Sequence, residues 1–566
     1  MKKQILLYGV LALGALMTTS CDDILDKEPL DKFTDTQTYW NNTSNVDNQC
    51  NDFYNEFVAY GNGGGAGWFY FKTLSDDQAG NSFTDWDFTN VPASSGYWDF
   101  SVIRHANKVI DRVTTSTLTD TQKANYIGIA RMIRAWEYFQ LVREYGDVPW
   151  IDKVVDVNDN DILYGPRTDR DAVMDNVLED INYASANVTT DGGATEWNRN
   201  MANAMKADIC LWEGTYRKYR TSADNGKAAD AAGATKFLNA CVDACNYVIA
   251  QGYKLNDNYQ ANYNSVSLAK NPEMIFYKPY KKDIMSHSLI DYTCSSTQLS
   301  GMSKDAFDSY LFLDGKPAAT TSYSTDDAGT LDSLNHLNIT AQLAVRDKRL
   351  NATIDSIVFY PDHTWIRPSV GTGMEMSSST GYGVKKYDNT SLPLIYRSTT
   401  GADYTQAPIF WLSVVYLDLA EAKAELGTIT LADLYKTINL LQKRAGLPNL
   451  TLTPDADPAN NMGVSNLIWE IRRCRRCELM FDNWNRYWDL VRWHQLDKLD
   501  SSVHPNILLG ANVSKDTSLG TTIAVKNGYL DGSKGMTRKY ESKHYFYPVP
   551  SGQITLDPQL TQNPGW

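Results

Sequence analysis

Beyond its first twenty residues the chain has no apolar run approaching the roughly 20 residues that a spanning helix needs, so any membrane attachment rests on the N-terminus. It has no excess of basic charge either. The formal net charge of −14 repels nucleic acid and anionic membrane surfaces. Cysteines number eight in 566 residues, too few for a disulfide framework in so large a chain. Cys241 with Cys245 and Cys474 with Cys477 sit at helical spacing, where small buried hydrophobes are expected rather than ligands. No further Cys or His stands near enough in sequence to complete a zinc site.

Catalytic motifs are missing as well. No Gly-x-Ser-x-Gly elbow and no His-Glu-x-x-His helix occurs. Asp76 and Asp77 are adjacent, which cannot place two carboxylates on opposite sides of a glycosidic bond. Asp156, Asn158 and Asn160 imitate the opening of a calcium loop, but Asp161 replaces its Gly and Arg167 its closing Glu, leaving at most a loose structural Ca²⁺. No other cofactor is expected.

What is present begins at the N-terminus. Lys2 and Lys3 precede an apolar run from Ile5 to Met17, followed by Thr18-Thr19-Ser20 and Cys21. This is a signal peptide over residues 1–20 ending at a cysteine. Small residues before Cys21 fit a bacterial lipobox, with lipidation of Cys21; cleavage to an ordinary N-terminus is the alternative. Asp22, Asp23, Asp26 and Glu28, closed by Pro29, read as a solvated tether within residues 21–40. Loss of Lys2 and Lys3 takes the net charge to −16.

Periodicity near 3.6 governs two blocks, about 97–254 and 409–497. Trp98, Val102, Ala106, Val109 and Val113 form one stripe; Ile129, Met132, Trp136 and Phe139 form another. Thr168 with Asp171 reads as a capping box before Val173, and Thr430 with Asp433 as one opening a helix through Ala445. Short connections predict antiparallel hairpins that stack as an irregular tetratricopeptide-like scaffold. Between the blocks, residues 255–408 are rich in Gly, Ser, Thr, Asn, Asp and Tyr. The expected fold is mainly α, a helical-hairpin scaffold within a body spanning 41–566, with a large loop-rich elaboration containing few short strands and a C-terminal segment 498–566.

Several stretches resemble one family. Cys21-Asp22-Asp23-Ile24-Leu25-Asp26, Ile133-Arg134-Ala135-Trp136-Glu137-Tyr138-Phe139 and Tyr145-Gly146-Asp147-Val148-Pro149 are joined by Asn271-Pro272-Glu273-Met274, Asp314-Gly315-Lys316-Pro317, Arg346-Asp347-Lys348-Arg349 and Leu419-Ala420-Glu421-Ala422. Arg475-Arg476-Cys477-Glu478-Leu479, Arg486-Tyr487-Trp488-Asp489-Leu490-Val491-Arg492-Trp493, Tyr547-Pro548-Val549-Pro550 and Gln562-Asn563-Pro564-Gly565-Trp566 follow. Together they resemble the SusD-like (RagB/SusD) nutrient-binding outer-membrane lipoproteins of Bacteroidetes, with Cys474 where that family usually has Glu and Trp566 where it usually ends in Tyr. The resemblance implies a surface lipoprotein with no catalytic activity. Such a protein passes captured glycan to a SusC-like TonB-dependent barrel transporter.

Ligand candidates are loop aromatics with polar neighbours, because a sugar offers apolar C–H faces rimmed by hydroxyls. The glycine-rich stretch 61–67 leads into Trp68 and Tyr70, then Asp77, Asn81 and Trp86. The resemblance pairs this early loop with the loop-rich middle, which supplies Tyr292, Tyr323, Trp365 and Tyr382. Each ring has two readings, stacking platform or packing residue. The charged residues Arg475, Arg476, Arg486, Asp489 and Arg492 fall on helical segments, where bracing of helix packing is the expected role.

Overall fold

In the computed structural model the described residues are 35–566 without 63–66, 71–73, 81–84, 223–225, 295–299, 335, 359–364, 369–374, 483–484, 518 and 521–522. The leader, Cys21 and Asn81 therefore lie outside the described residues, and Trp365 is described as backbone only. A short helix Gln37–Trp40 already seats Trp40 in the core with no exposure. The packed body thus includes the last residues assigned above to the tether.

The scaffold helices are α1 (Thr43–Asp52), α2 (Ser101–Thr114), α3 (Asp120–Tyr145), α4 (Arg170–Asn187), α5 (Arg199–Tyr219) and α6 (Ala231–Ile249). After a long interval come α7 (Leu412–Glu425), α8 (Ile438–Ala445), α9 (Asn466–Glu478) and α10 (Asn485–Arg492). Each of α2 to α6 packs on the next in sequence, as helical hairpins joined by short connections must. α7 then packs on α6, α5 and α9, so the two helical blocks share one stack across the interval. This is the mainly α architecture with few short strands that the periodicity predicts.

Local chemistry sets the helix ends. Thr119 and Gln122 form a reciprocal capping box at α3, and Gly446 takes the left-handed cap of α8 at φ +76°. Two expectations change. The cap of α4 is Asp169, whose carboxylate accepts the Asp171 N–H at 2.8 Å; Thr168 instead exchanges backbone bonds with Val148. The helix expected from Thr430 to Ala445 breaks at Thr437 (φ −132°, ψ −97°), whose hydroxyl donates back to the Asp433 carbonyl at 2.7 Å.

The loop-rich interval leaves the stack after α6 and returns at α7, and its two ends are fastened together. Strand Met274–Lys278 pairs antiparallel with Ala407–Trp411, the strand that runs directly into α7. Buried Glu273 clamps this junction. Its carboxylate accepts from Ser413 Oγ at 2.6 Å, Asn262 Nδ2 at 2.9 Å, Arg444 Nη1 at 2.9 Å and the Asn256 N–H at 3.0 Å.

Buried ion pairs then tie the second block together. Arg475 donates to Asp418 at 2.7 Å and to Asp489 at 3.0 Å. Arg492 forks onto both Glu421 oxygens at 2.6 and 2.8 Å and also reaches Asp489. Burial alone would raise the Glu421 carboxyl, but the charge and hydrogen bonds of Arg492 together with the charges of Arg475 and Arg472 outweigh it and hold the group down at about 2. Glu478 is shared by Arg349 at 3.0 Å and by Arg444. At Cys474, where the family usually has Glu, Arg349 makes only a 3.6 Å thiol contact.

Arg475→Ala should cost about 3–5 kcal/mol, because it strands Asp418 as a buried carboxylate and leaves Asp489 with Arg492 alone of its two arginines; denaturant unfolding measures it. Glu273→Ala should lower hydrogen-exchange protection in 274–278 and 407–411 more than in α2 to α4, since it opens the junction first. Equal loss across all of these elements would contradict that local role.

Candidate functional site

The early loop and the loop-rich middle do meet. Strand Gln78–Gly80 pairs antiparallel with Ser300–Met302, and Ser303 donates its N–H to the Asp77 carbonyl at 2.9 Å. Gly301 is required there, since a Cβ would come within 2.4 Å of both Thr380 Oγ1 and Ser378 Oγ. Behind this pairing, Asp76 and Asp77 are wholly engaged by α9 and α10. Arg486 forks onto Asp76 at 2.6 Å through two nitrogens, and Arg476 holds Asp77 at 2.7 Å and Asp305 at 2.8 Å. Burial works against ionisation of Asp76, but Arg476 and Arg486 overcome it and hold the carboxyl well below the usual range.

The chain reaches Trp68 through Gly67 at φ +111°, where a Cβ would lie 2.5 Å from the Tyr60 carbonyl. Trp68 is half-buried, with its ring 6.0 Å from Trp136 and edge-on to Phe57 at 6.2 Å. From there it lines a cavity of about 310 Å³. Tyr97, Trp136, Phe410 and Trp411 supply further aromatic wall, and Glu56, Asp99, Glu137, Gln140 and Glu144 the polar one. Tyr97 is 45% exposed and forms the open rim.

The cavity's electrostatics are lopsided. Glu137, on α3, is pushed up to about 8 by burial and then by the charges of Glu56, Glu144 and Asp99. Glu56 is also raised by burial, then by Asp52 and Asp99. The lone basic group among the described lining residues is Arg143. Its guanidinium lies over the Trp488 ring at 4.3 Å, and burial lowers it to about 10.

Of the described residues expected at a ligand site, Trp68 alone lines this cavity. Asp77 is 3% exposed and spent on Arg476. Tyr70 is 6% exposed, with its ring against Phe481 at 5.6 Å. Both line a narrower space of about 20 Å³ next to Trp68. Trp86 is a packing residue rather than a platform: it stacks on His544 at 3.9 Å and donates its indole N–H to the Lys539 carbonyl at 2.6 Å. Tyr382 is likewise in the core, 1% exposed and parallel to Phe307 at 4.8 Å, leaving no free face. Tyr323 is exposed, stacked on Phe312 at 6.2 Å, and Tyr292 is half-buried on the helix Leu289–Cys294. Neither lines the Trp68 cavity. Strand Trp365–Pro368 pairs with Glu375–Ser378. The calcium-like segment is folded on itself, Asp156 accepting from the Asn158 N–H and Nδ2.

Sequence reasoning missed Tyr97, Glu56, Glu137 and Gln140. The available signal was Glu137, a carboxylate set among Trp136, Tyr138 and Phe139 on a helix that otherwise buries those positions.

A model described as "SusD family" matches residues 272–566, more than half of the chain. The chain belongs to the SusD family. A second model, described as "Starch-binding associating with outer membrane", matches residues 26–211 of this SusD-family protein. It is similar to a SusD-like protein of Bacteroides ovatus, 25% identical over 284 residues, covering 44% of this chain and 48% of the relative. SusD-like protein P38 of Formosa agariphila is 27% identical over 226 residues, covering 38% and 43%. The chain therefore spans a little under half the length of the curated relatives it matches. Among solved structures, a SusD-like carbohydrate-binding protein of Bacteroides fragilis aligns with a TM-score of 0.68 at 21% identity, over 93% of this chain and 100% of that one. At that identity the likeness concerns the fold.

Two measurements check this placement. Tyr382→Phe should leave ligand affinity unchanged and raise stability by up to about 1 kcal/mol, because the buried Tyr382 hydroxyl has no hydrogen-bond partner. A carboxyl raised to about 8 when folded binds its proton more tightly than in the unfolded chain, so stability falls as pH climbs from the ordinary Glu value toward 8. Melting temperatures across that window should therefore fall less in Glu137→Gln than in the parent.

Proposed function

We propose that this protein captures oligosaccharide at the cell surface and performs no catalysis on it. The observation that carries the reading is the Trp68 cavity, lined by the aromatic residues Trp68, Tyr97 and Trp136 together with Glu56, Asp99, Glu137 and Gln140. Aromatic faces suit the C–H faces of a pyranose, and carboxylate and amide groups suit its hydroxyls. Family membership supports it, as do the carbohydrate-binding relative and the family model named for starch binding at the outer membrane. Lipidation at Cys21, residence on the outer membrane and delivery to a SusC-like TonB-dependent transporter belong to the same proposal. Trp365, Tyr323 and Tyr292 remain in it as contacts for longer ligands outside the cavity.

One observation favours a second reading, a surface glycoside hydrolase: a buried carboxyl raised to about 8 in a cavity with further carboxyls is what a general acid needs. Incubating the protein with a glycan panel separates the two. Retention of glycan without new reducing ends supports binding; new reducing ends overturn it. A helical adhesin would instead retain no glycan. Trp68→Ala should weaken binding of the retained glycan by about 1–3 kcal/mol while leaving the melting temperature nearly unchanged, and Trp365→Ala should do the same for longer chains. Unaltered affinity with a lowered melting temperature would make Trp68 a packing residue.

A further inference from the structure

Resting on that carbohydrate reading, we infer that the Trp68 cavity selects sugars bearing a free, protonated amino group, its carboxylates receiving the ammonium while its rings cover the pyranose.

The charge balance is the first ground. Glu56, Asp99, Glu137, Glu144 and Asp208 line the cavity against Arg143 alone. Asp99 is occupied by the N–H and hydroxyl of Ser101 at 2.9 and 2.8 Å, at the start of α2. Asp208 feels Arg475, Arg143 and Arg492, and Arg143 lies flat on the Trp488 ring. Lys278, near the rim, is held by the Phe57 carbonyl at 2.8 Å. Among the described residues, Glu56 and Glu137 face the cavity with neither a salt bridge nor a cation acting to offset their burial. Many buried carboxylates elsewhere in the protein are matched to arginines, as Asp76, Asp418, Glu421 and Glu478 are, Asp403 beside His287 being an exception. Carboxylates left in a half-enclosed aromatic cavity are a site for a cation that arrives from outside.

The aromatic wall is the second ground: Trp68, Tyr97, Trp136 and Phe410 line the same cavity, which sets apolar ring surface beside the carboxylates, the pairing that the C–H faces of a charged sugar need. An ammonium on a pyranose ring meets both demands, offering charge to Glu137 and Glu56 and a C–H face to Trp68.

Proton bookkeeping gives a direct readout. Below the amine's own pKa the sugar arrives protonated, while Glu137, raised to about 8, is still largely neutral. Docking the ammonium beside it favours the carboxylate, and one proton leaves Glu137 for solvent. The test is calorimetric titration of the protein with a β-1,4-linked glucosamine oligomer and with the N-acetylated oligomer of equal length, each in two buffers of different ionisation heat. The expected result is roughly tenfold tighter binding of the free amine, with proton release seen for it alone. Glu137→Gln should bring the two affinities together and abolish proton release, and Glu56→Gln, on a different segment, should narrow the preference even if the first variant fails to fold. Equal affinity for both oligomers overturns this inference and leaves the carbohydrate reading standing. Binding of an oligolysine peptide with neither sugar bound overturns both.

Discussion

Everything in the second helical block depends on arginines buried against carboxylates. Four of them crowd into α9 at Arg472, Arg473, Arg475 and Arg476, and a buried guanidinium is tolerable only where an acid meets it. The matching acids come from α7 (Asp418, Glu421, Glu425), from α10 (Asp489) and from the early loop (Asp76, Asp77). Such pairs add little net stability over well-packed apolar residues, but they are intolerant of misregistry. A helix shifted by one turn would leave several charges unpaired at once, so the pairs act as a register lock on the stack.

The lock reaches beyond the helices. Because Arg476 and Arg486 grip Asp76 and Asp77, the segment that carries Trp68 is anchored from behind by the scaffold. The residues in front of it are released from structural duty, which is how one wall of the cavity can hold carboxylates that no arginine serves. Family membership and the geometry of the cavity meet at this point: shared motifs build the anchor, and one of them, through Trp136 and Glu137, also lines the cavity.

How much of this was legible in the sequence depends on the range of the interaction. Helices announced themselves through the spacing of Ala106, Val109 and Val113 or of Met132, Trp136 and Phe139, and one cap through Thr430, because those rules act within one or two turns. The cap at α4 was misplaced by one residue since Thr168 is claimed by a strand-like exchange with Val148, a contact no local rule contains. The same limit governs the site. Trp68 was legible as an aromatic following glycines, whereas Trp86 and Tyr382 look identical in sequence but are covered by His544 and Phe307, partners far away along the chain. Glu137 sat inside a motif that reads as scaffold, and only the approach of Glu56 and Tyr97 turns it toward a cavity.

The fastening of strand Met274–Lys278 to Ala407–Trp411 has an evolutionary corollary. Once the two ends of the interval are held side by side, the chain between them is a closed loop, and closing a loop grows more costly only with the logarithm of its length, about 0.6 kcal/mol for each doubling. Insertions in exposed turns between residues 279 and 406 therefore carry little thermodynamic penalty for the helical stack, provided Glu273 and its partners stay in place and buried pairs such as Arg349 with Glu478 are kept. Exposed turns of that interval can lengthen or shorten while the junction that holds it is inherited unchanged.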